Sequence, residues 1–313
     1  MTNTLLAHPA AGAVSEHCQR WTDGKHSFKH PSEGGFDQHR FAAAPLHETI
    51  ARAYTVQHHY SGSFPAAKLC YGLTTDDPAI AGPSAVEVGG RALVGVAVLS
   101  IPMSAAVLEN VFPTLEPMQQ SIELGRFVLA DAAPANAESW FLARVFEHAR
   151  EAGIRGVVAF ADPMPRHRTV IRTDERGGIV EEAERVLPGH VGLIYQASNG
   201  YACGRSTPRT LRYVPRAGLV LSERTLSKIR TGDRGADGGE KKLISLGARA
   251  RRAGENPKTW LAEALDQIGA TRLRHPGNFR YAWAVGGPAE RRRTTIAMER
   301  TPYPKAATDL VKI

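Results

Sequence analysis

The chain has 313 residues, of which 42% are hydrophobic and 22% charged, and its formal net charge is +8. This composition is typical of a globular protein and provides enough apolar material for one large core or two smaller ones. No apolar run approaches the roughly 18 residues of a membrane span, and no charged segment followed by an apolar one opens the chain, so we expect a soluble cytoplasmic protein. Three widely spaced cysteines indicate reduced thiols rather than a disulfide framework.

The charge is distributed unevenly along the chain. Residues 1–204 hold 16 Lys/Arg against 21 Asp/Glu, whereas residues 205–313 hold 23 against 10. A basic region of this kind binds polyanions, because Lys and Arg that neutralise phosphates release counterions. The alternative is a solubilising surface or a loose tail, but here the cations alternate with apolar positions that indicate structure. We therefore predict nucleic-acid contacts by Arg205, Arg209, Arg224, Lys228, Arg230, Arg274 and Arg280.

The first half of the chain predicts an arm, a helix and two strands. Residues 1–45 are poor in branched aliphatics and rich in His, Ser and Gly, which predicts a loop-rich arm whose Cys and His spacing fits a zinc site poorly. Apolar residues at helical spacing follow over 46–56, and a loop over 57–62. Residues 66–73 and 91–101 predict strands joined by the turn residues of 74–90.

The second half predicts a strand, a helix and another strand, followed by a basic α+β region. The strands span 121–130 and 156–161, and the helix over 139–152 ends at Gly153. Residues 166–184 are charged and aperiodic, which predicts a surface insertion, and 191–197 is expected to extend the sheet or pack on it. Further strands are predicted at 210–214, 218–221, 272–275 and 279–285, with one helix capped by Ser222 and another over 256–268.

Five short motifs accompany these elements and resemble a known family. They are Gln57-His-His-Tyr-Ser-Gly62, Glu123-Leu-Gly-Arg-Phe-Val-Leu129, Asn136-Ala-Glu-Ser-Trp140, Val157-Val-Ala-Phe-Ala-Asp162 and Gly189-His-Val-Gly-Leu-Ile-Tyr-Gln-Ala-Ser-Asn199. The order of elements resembles the cofactor-binding half of the N-acetyltransferase (GNAT) fold, and the motifs resemble the Mom family of phage DNA modification proteins. The resemblance covers roughly residues 55–205. It implies a GNAT-like α/β domain over 46–204, with a mixed central sheet flanked by helices, between an arm at 1–45 and a basic α+β extension at 205–313.

The resemblance also implies an activity and its participants. Mom-like enzymes place a carbamoylmethyl group on N6 of adenine in double-stranded DNA, which implies extrusion of the base. It implies a phage or prophage protein with an anti-restriction role in the bacterial cytoplasm, with iron and an acetyl-CoA or related donor as cofactors. The donor, the metal, the target sequence and the oligomeric state stay open. The alternatives are a conventional acetyl-CoA-dependent N-acetyltransferase and a non-catalytic DNA-binding accessory protein.

A donor site is predicted at the start of the helix that follows residue 136. In GNAT enzymes the loop before this helix offers backbone N–H groups to the donor's pyrophosphate. Here the loop lacks the Arg/Gln-x-x-Gly-x-Gly pattern of ordinary acetyltransferases, which weakens the case for a conventional acetyl-CoA site. The predicted donor-binding residues are Arg126, Asn136, Ser139 and Asn199. For Arg126 and Asn136, a surface ion pair and a helix cap are equally good interpretations.

Catalytic groups are predicted at three places. The loop residues His59, Tyr60 and Ser61 combine a neutral base with hydrogen-bond donors. Asp162 ends a buried strand, where α/β sheets present ligand-binding groups, although an Asp-Pro turn is the plainer interpretation. The resemblance places Tyr195 where many GNAT enzymes carry the tyrosine that protonates a leaving thiolate, and a packed core tyrosine is the alternative.

Two further hypotheses concern metal and base stacking. Either His58 or His59, with Asp162 and His190, provides the two histidines and one carboxylate that suit ferrous iron. The aromatic residues Phe279, Tyr281 and Trp283 suit stacking on a displaced base. Their alternation along a strand favours a place in the core instead.

Overall fold

The computed structural model describes residues 18–22, 25–29, 36–59, 61–82, 85–134, 136–173, 177–187 and 189–305. The chain divides into two compact units. Unit 1 contains residues 1–159, 194–201 and 281–299, and unit 2 contains residues 160–193, 202–280 and 300–313. Residues 160–193 thus group with unit 2, and residues 281–299 group with unit 1.

Strands and helices are named in chain order. The strands are β1 (Cys18–Thr22), β2 (Lys25–Lys29), β3 (Phe41–Pro45), β4 (Ala67–Thr75), β5 (Glu87–Val88), β6 (Arg91–Ser100), β7 (Ser121–Leu129), β8 (Gly156–Ala161), β9 (Arg166–Thr173), β10 (Ile179–Leu187), β11 (Tyr201–Arg205), β12 (Arg209–Val214), β13 (Leu219–Leu221), β14 (Thr271–His275) and β15 (Phe279–Ala284). The helices are α1 (Glu48–His58), α2 (Ala106–Glu109), α3 (Ala137–Glu151), α4 (Leu193–Ala197), α5 (Glu223–Thr231), α6 (Ala236–Ser245), α7 (Pro257–Gln267) and α8 (Pro288–Arg293).

Unit 1 is built on a mixed sheet. Its strand order is β15-β8-β7-β6-β4-β3, with β5 paired to β6. The pairs from β3 to β7 are antiparallel, whereas β7 and β8 are parallel and are connected through α3. Helix α1 buries Ala51 and Tyr54 against Val96 and Val98 of β6. These features confirm the predicted α/β class, with a mixed central sheet flanked by helices.

β7 pairs with its two neighbours over different lengths. It pairs with β6 as far as Leu129, but with β8 only as far as Leu124. The register with β6 shifts between Leu124 and Arg126, so Gly125 is the extra residue of a β-bulge. A Cβ atom at Gly125 would lie 2.1 Å from the Ser100 Oγ, so only glycine fits. Beyond Leu124, β7 continues its pairing with β6 but no longer pairs with β8.

Unit 2 combines a small sheet with a helical cluster. The antiparallel sheet has the order β13-β12-β14, and Val214 and Leu221 from its strands join a core with residues of α5, α6 and α7. Trp260 and Ile229 are fully buried in this core. As predicted, Ser222 caps α5, since its side chain accepts a hydrogen bond from the Thr225 amide.

Three predicted segments differ from the structure. Residues 166–187 form the antiparallel hairpin β9–β10, which cross-strand pairs such as Arg168 with Glu184 stabilise. Part of the predicted loop-rich arm forms strands, and β3 pairs with β4 although its Phe-Ala-Ala-Ala-Pro sequence has low strand propensity. Residues 193–197 are a short helix. Among the described helices, none has the length and apolarity that crossing a membrane requires.

Candidate functional site

His59 belongs to a hydrogen-bonded cluster in unit 1. Its Nδ1 accepts a hydrogen bond from the Ser61 amide at 3.2 Å and lies 2.9 Å from the Ser61 Oγ. The Ser61 Oγ is 3.2 Å from the Ser63 Oγ, to which the Arg126 Nη2 donates at 2.8 Å. Because a backbone N–H only donates, Nδ1 is an acceptor and neutral His59 carries its proton on Nε2. The cluster therefore joins a positioned imidazole, two hydroxyls and a guanidinium.

The two adjacent histidines occupy different environments. His58 is exposed on the last turn of α1, where its ring lies 4.3 Å from the Tyr54 ring. His59 follows the helix and turns into the loop, half-buried. Tyr60, the third predicted catalytic residue of this loop, lies outside the described residues. Arg126 contacts Ser63, so the structure places it with His59 rather than at the start of α3.

Glu123 is a titratable group that the sequence analysis did not single out. It lies half-buried on β7, three residues before Arg126. Burial raises the pKa of Glu123 from 4.5 to about 7, and the charge of Arg126 opposes that rise. A carboxylate whose pKa lies near neutrality suits proton transfer at cellular pH. The sequence signal that could have identified it is a carboxylate between the apolar residues Ile122 and Leu124.

A cavity of about 740 Å³ lies in unit 1 beside α3. Ser139 and Asn199, two of the predicted donor-binding residues, both line it. Leu142, Phe146 and Trp283 contribute apolar surface, and the Trp283 indole is held by a hydrogen bond to the Ser198 carbonyl at 2.9 Å. A volume of this size suits a small organic ligand. The structure thus brings these two predicted donor-binding residues together.

Asn136 and Tyr195, two further residues predicted to belong to the site, are described here by their local contacts. Asn136 stands at the start of α3 with a left-handed backbone, φ 72°, and its side chain does not cap the helix. Tyr195 is buried, with its ring 5.5 Å from that of Tyr281 and 5.6 Å from that of Trp283. This packing matches the core interpretation of Tyr195, and its role as an acid stays a prediction.

In unit 2, Asp162 is the acceptor in a buried polar cluster. Its Oδ1 accepts from the His275 Nε2 at 2.9 Å and from the Met164 amide at 3.0 Å, and its Oδ2 accepts from Arg166. The Gly277 amide donates to the His275 Nδ1, which fixes the tautomer that protonates Nε2. Burial alone would raise the pKa of Asp162, but the hydrogen bond from His275 and the charge of Arg166 lower it below its ordinary value. Asp162 is therefore held as a carboxylate.

The residues predicted to bind iron do not fit that role. Asp162 already accepts from three donors, and one of them is the cation Arg166, which would repel a metal ion. His190 lies close to Asp162, its amide donating to the Asp162 carbonyl, and burial lowers the pKa of its ring. Across the described parts of the chain, no three His, Cys, Asp or Glu side chains form a group suited to a metal ion. We assign no step to iron.

The predicted nucleic-acid residues of unit 2 fall into two groups. Arg205 and Arg280 lie over the rings of Phe279 and Phe160, at 4.3 and 5.7 Å, and burial lowers the pKa of Arg280. The exposed members are Arg209, Arg224, Arg230 and Arg274, with Lys228 half-exposed, and Arg230 also pairs with Glu223. Phe279, Tyr281 and Trp283 are all buried, which matches the core interpretation rather than base stacking.

Residues 40–172 match the model of the Mom protein family, so the predicted resemblance to Mom proteins is confirmed over this part of the chain. No curated protein matches the chain. Two similar solved structures are a tandem GNAT protein from the clavulanic acid biosynthesis pathway and a proposed acetyltransferase from Pyrococcus horikoshii. The first is 11% identical, with a TM-score of 0.29 and coverage of 78% of this chain and 70% of its own. The second is 9% identical, with a TM-score of 0.33 and coverage of 86% and 97%.

Proposed function

We propose that the protein is a DNA modification enzyme of the Mom type, which converts adenine in DNA to N6-carbamoylmethyladenine. The observation that carries the proposal is the match to the Mom family over residues 40–172, because it includes His59, Glu123, Arg126 and Asp162. The basic excess of residues 205–313 supports a nucleic-acid substrate. Its phage or prophage origin and anti-restriction role belong to the same proposal.

The reaction requires removal of a proton from a weak nucleophile. The N6 nitrogen of an extruded adenine forms a bond to the CH₂ carbon of the donor and loses one proton. The donor's leaving group departs with the electron pair of its former bond to that carbon. We assign the proton to Glu123, since a carboxylate with a pKa of about 7 is largely ionised at slightly alkaline pH. His59, Ser61 and Arg126 would hold the base by hydrogen bonds.

The donor is assigned to the cavity beside α3. Ser139 and Asn199 offer polar contacts at its wall, and Phe146 and Trp283 offer apolar ones. A donor related to acetyl-CoA would have to carry the carbamoylmethyl group on the sulfur of its thiol carrier, so that the thiolate would be the leaving group. These side chains would bind the donor and exclude water from it.

The test is mass spectrometry of nucleosides from plasmid DNA of cells that express the protein. Wild type should produce a deoxyadenosine heavier by one carbamoylmethyl group. The E123Q variant should reduce that product by about 100-fold or more, the usual contribution of a general base. The matched control is E109Q, which changes an exposed glutamate on α2 and should leave the product unchanged.

Unmodified deoxyadenosine in cells that contain folded wild-type protein would overturn the proposal. Binding of acetyl-CoA without DNA would then favour the N-acetyltransferase alternative. Salt-sensitive DNA binding without acetyl-CoA binding would favour the accessory protein. Equal product from wild type and E123Q would leave the reaction in place but remove Glu123 from it.

A further inference from the structure

Three arginines share one face of the small sheet in unit 2. In the antiparallel register of β12 and β14, Arg212 lies directly opposite Arg272, and Thr210 lies opposite Arg274. Directly opposite residues of an antiparallel pair project from the same face, and so do residues two apart on one strand. Arg212, Arg272 and Arg274 therefore project together, and we call this set the arginine face.

The arginine face has an unbalanced charge. Like charges directly opposite each other destabilise a sheet. Within the described residues, no Asp or Glu oxygen lies within 4 Å of a guanidinium nitrogen of these three arginines. The hairpin β9–β10 of the same unit shows the usual solution, because Arg168 lies directly opposite Glu184 and forms an ion pair with it. The arginine face thus differs from this hairpin, because no acidic partner lies opposite its arginines.

Residues on both faces of the β13-β12-β14 sheet contact other parts of unit 2. The opposite face of the same sheet is held by the hydrogen bond from His275 to Asp162 and by the bond from the Tyr213 hydroxyl to the His167 carbonyl. On the arginine face itself, Val214 and Leu221 are buried in the core with α5, α6 and α7. Arg272 and Arg274 are exposed and Arg212 is partly exposed. Arg272 and Arg274 are therefore presented to solvent on β14, at the edge of a sheet that is packed on both faces, and Arg212 lies beside them on β12.

We propose that the arginine face binds the phosphate backbone of duplex DNA. Three guanidinium groups spread over two strands suit a row of phosphates better than a single anion, and each of them forms paired hydrogen bonds to phosphate oxygens. Bound phosphates would supply the negative charge that the arginine face lacks. This inference rests on the proposed DNA substrate. It assigns part of the DNA binding to residues that take no part in the modification reaction.

The test measures how salt weakens binding of the full chain to a fluorescent duplex. The slope of log K against log salt concentration reports the number of phosphates neutralised, at about 0.9 per contact. The variant R212Q/R272Q/R274Q should lower the slope by about two to three. At about 100 mM salt it should weaken binding at least tenfold. The variant R212K/R272K/R274K should keep most of the slope, because lysine retains the charge.

The matched control is R52Q/R168Q/R172Q, which removes three exposed positive charges that are each paired with a glutamate. Its slope should equal that of wild type. An equal slope for wild type and R212Q/R272Q/R274Q, or an equal loss in the control, would overturn the inference. Binding is measured here without catalysis. Failure of the modification reaction is therefore seen separately from failure of the arginine face.

Discussion

Two carboxylates, one in each unit, show opposite environments. Asp162 accepts hydrogen bonds from His275, Met164 and Arg166, which keep its pKa low although it is buried. Glu123 is also shielded from solvent. Burial raises its pKa to about 7, because the charge of Arg126 offsets only part of that effect. A carboxylate with a full set of donors is held ionised, whereas a carboxylate with few donors changes protonation near neutral pH. This difference supports Glu123 as the proposed base, whereas the catalytic role predicted for Asp162 stays a prediction.

The largest expected effect comes from removing Asp162. The D162A variant leaves the buried His275 and the half-buried Arg166 without their acceptor, which should lower the free energy of unfolding by up to about 3–5 kcal/mol. D162N keeps one acceptor oxygen and should lose less. Urea denaturation of both variants measures the difference. A D162A variant as stable as wild type would show that these hydrogen bonds do not stabilise the fold.

The pH dependence of this contribution has a definite sign. The folded-state pKa of Asp162 lies below its ordinary value of 3.8, so its stabilising effect is present above that value. The effect is lost as the pH falls through the folded-state pKa. Wild type should therefore lose stability in acid more steeply than D162N.

The partner of Asp162 illustrates what the sequence leaves undetermined. Asp162 was selected because it ends a predicted strand, and that strand is present in the structure. His275 lies 113 residues further along the chain, and only the pairing of β12 with β14 brings it to the cluster. Local patterns contain no information about such a contact. The prediction paired Asp162 with histidines near other motifs instead.

Regular elements were predictable where one local pattern decided them. The apolar strands β6 and β7 and the amphipathic helix α3 have strong periodicity and lie close to the predicted ranges. The hairpin β9–β10 was missed because its charged residues are stabilised by cross-strand partners, which a search for apolar period ignores. The cluster of His59 was predicted as a group of residue types, but its link to Arg126 depends on the bulge at Gly125.

The titration of Glu123 should destabilise the protein at alkaline pH. Its folded-state pKa of about 7 exceeds the ordinary 4.5, so its contribution to stability is present below pH 4.5 and is lost as the pH rises through 7. E123Q removes this titration. At pH 8 it should therefore be more stable than wild type by about 2–3 kcal/mol, a value reduced for the partial exposure of the side chain. At pH 4 the two proteins should be nearly equal.

Thermal denaturation at both pH values measures this difference. The E109Q control, on an exposed site, should follow wild type at each pH. A gain in stability together with a loss of DNA modification would mean that the chain keeps a destabilising carboxylate where its chemistry requires one. If E123Q is no more stable than wild type at pH 8, then Glu123 is well paired when ionised and the contrast with Asp162 disappears.

The smallest change in stability is expected from arginines that lie in cross-strand pairs. Arg168 faces Glu184 across β9 and β10, whereas Arg272 faces Arg212 across β14 and β12. R168Q should lower the melting temperature and R272Q should raise it, because the first removes an attraction and the second a repulsion. Melting temperatures at about 20 mM and about 1 M salt measure both, and the two differences should shrink at high salt as the charges are screened. A loss of stability in R272Q would show that Arg272 contributes to the fold of the free protein. A gain would indicate a face that is completed only when an anion binds, since the repulsion it relieves is the one that phosphates would neutralise.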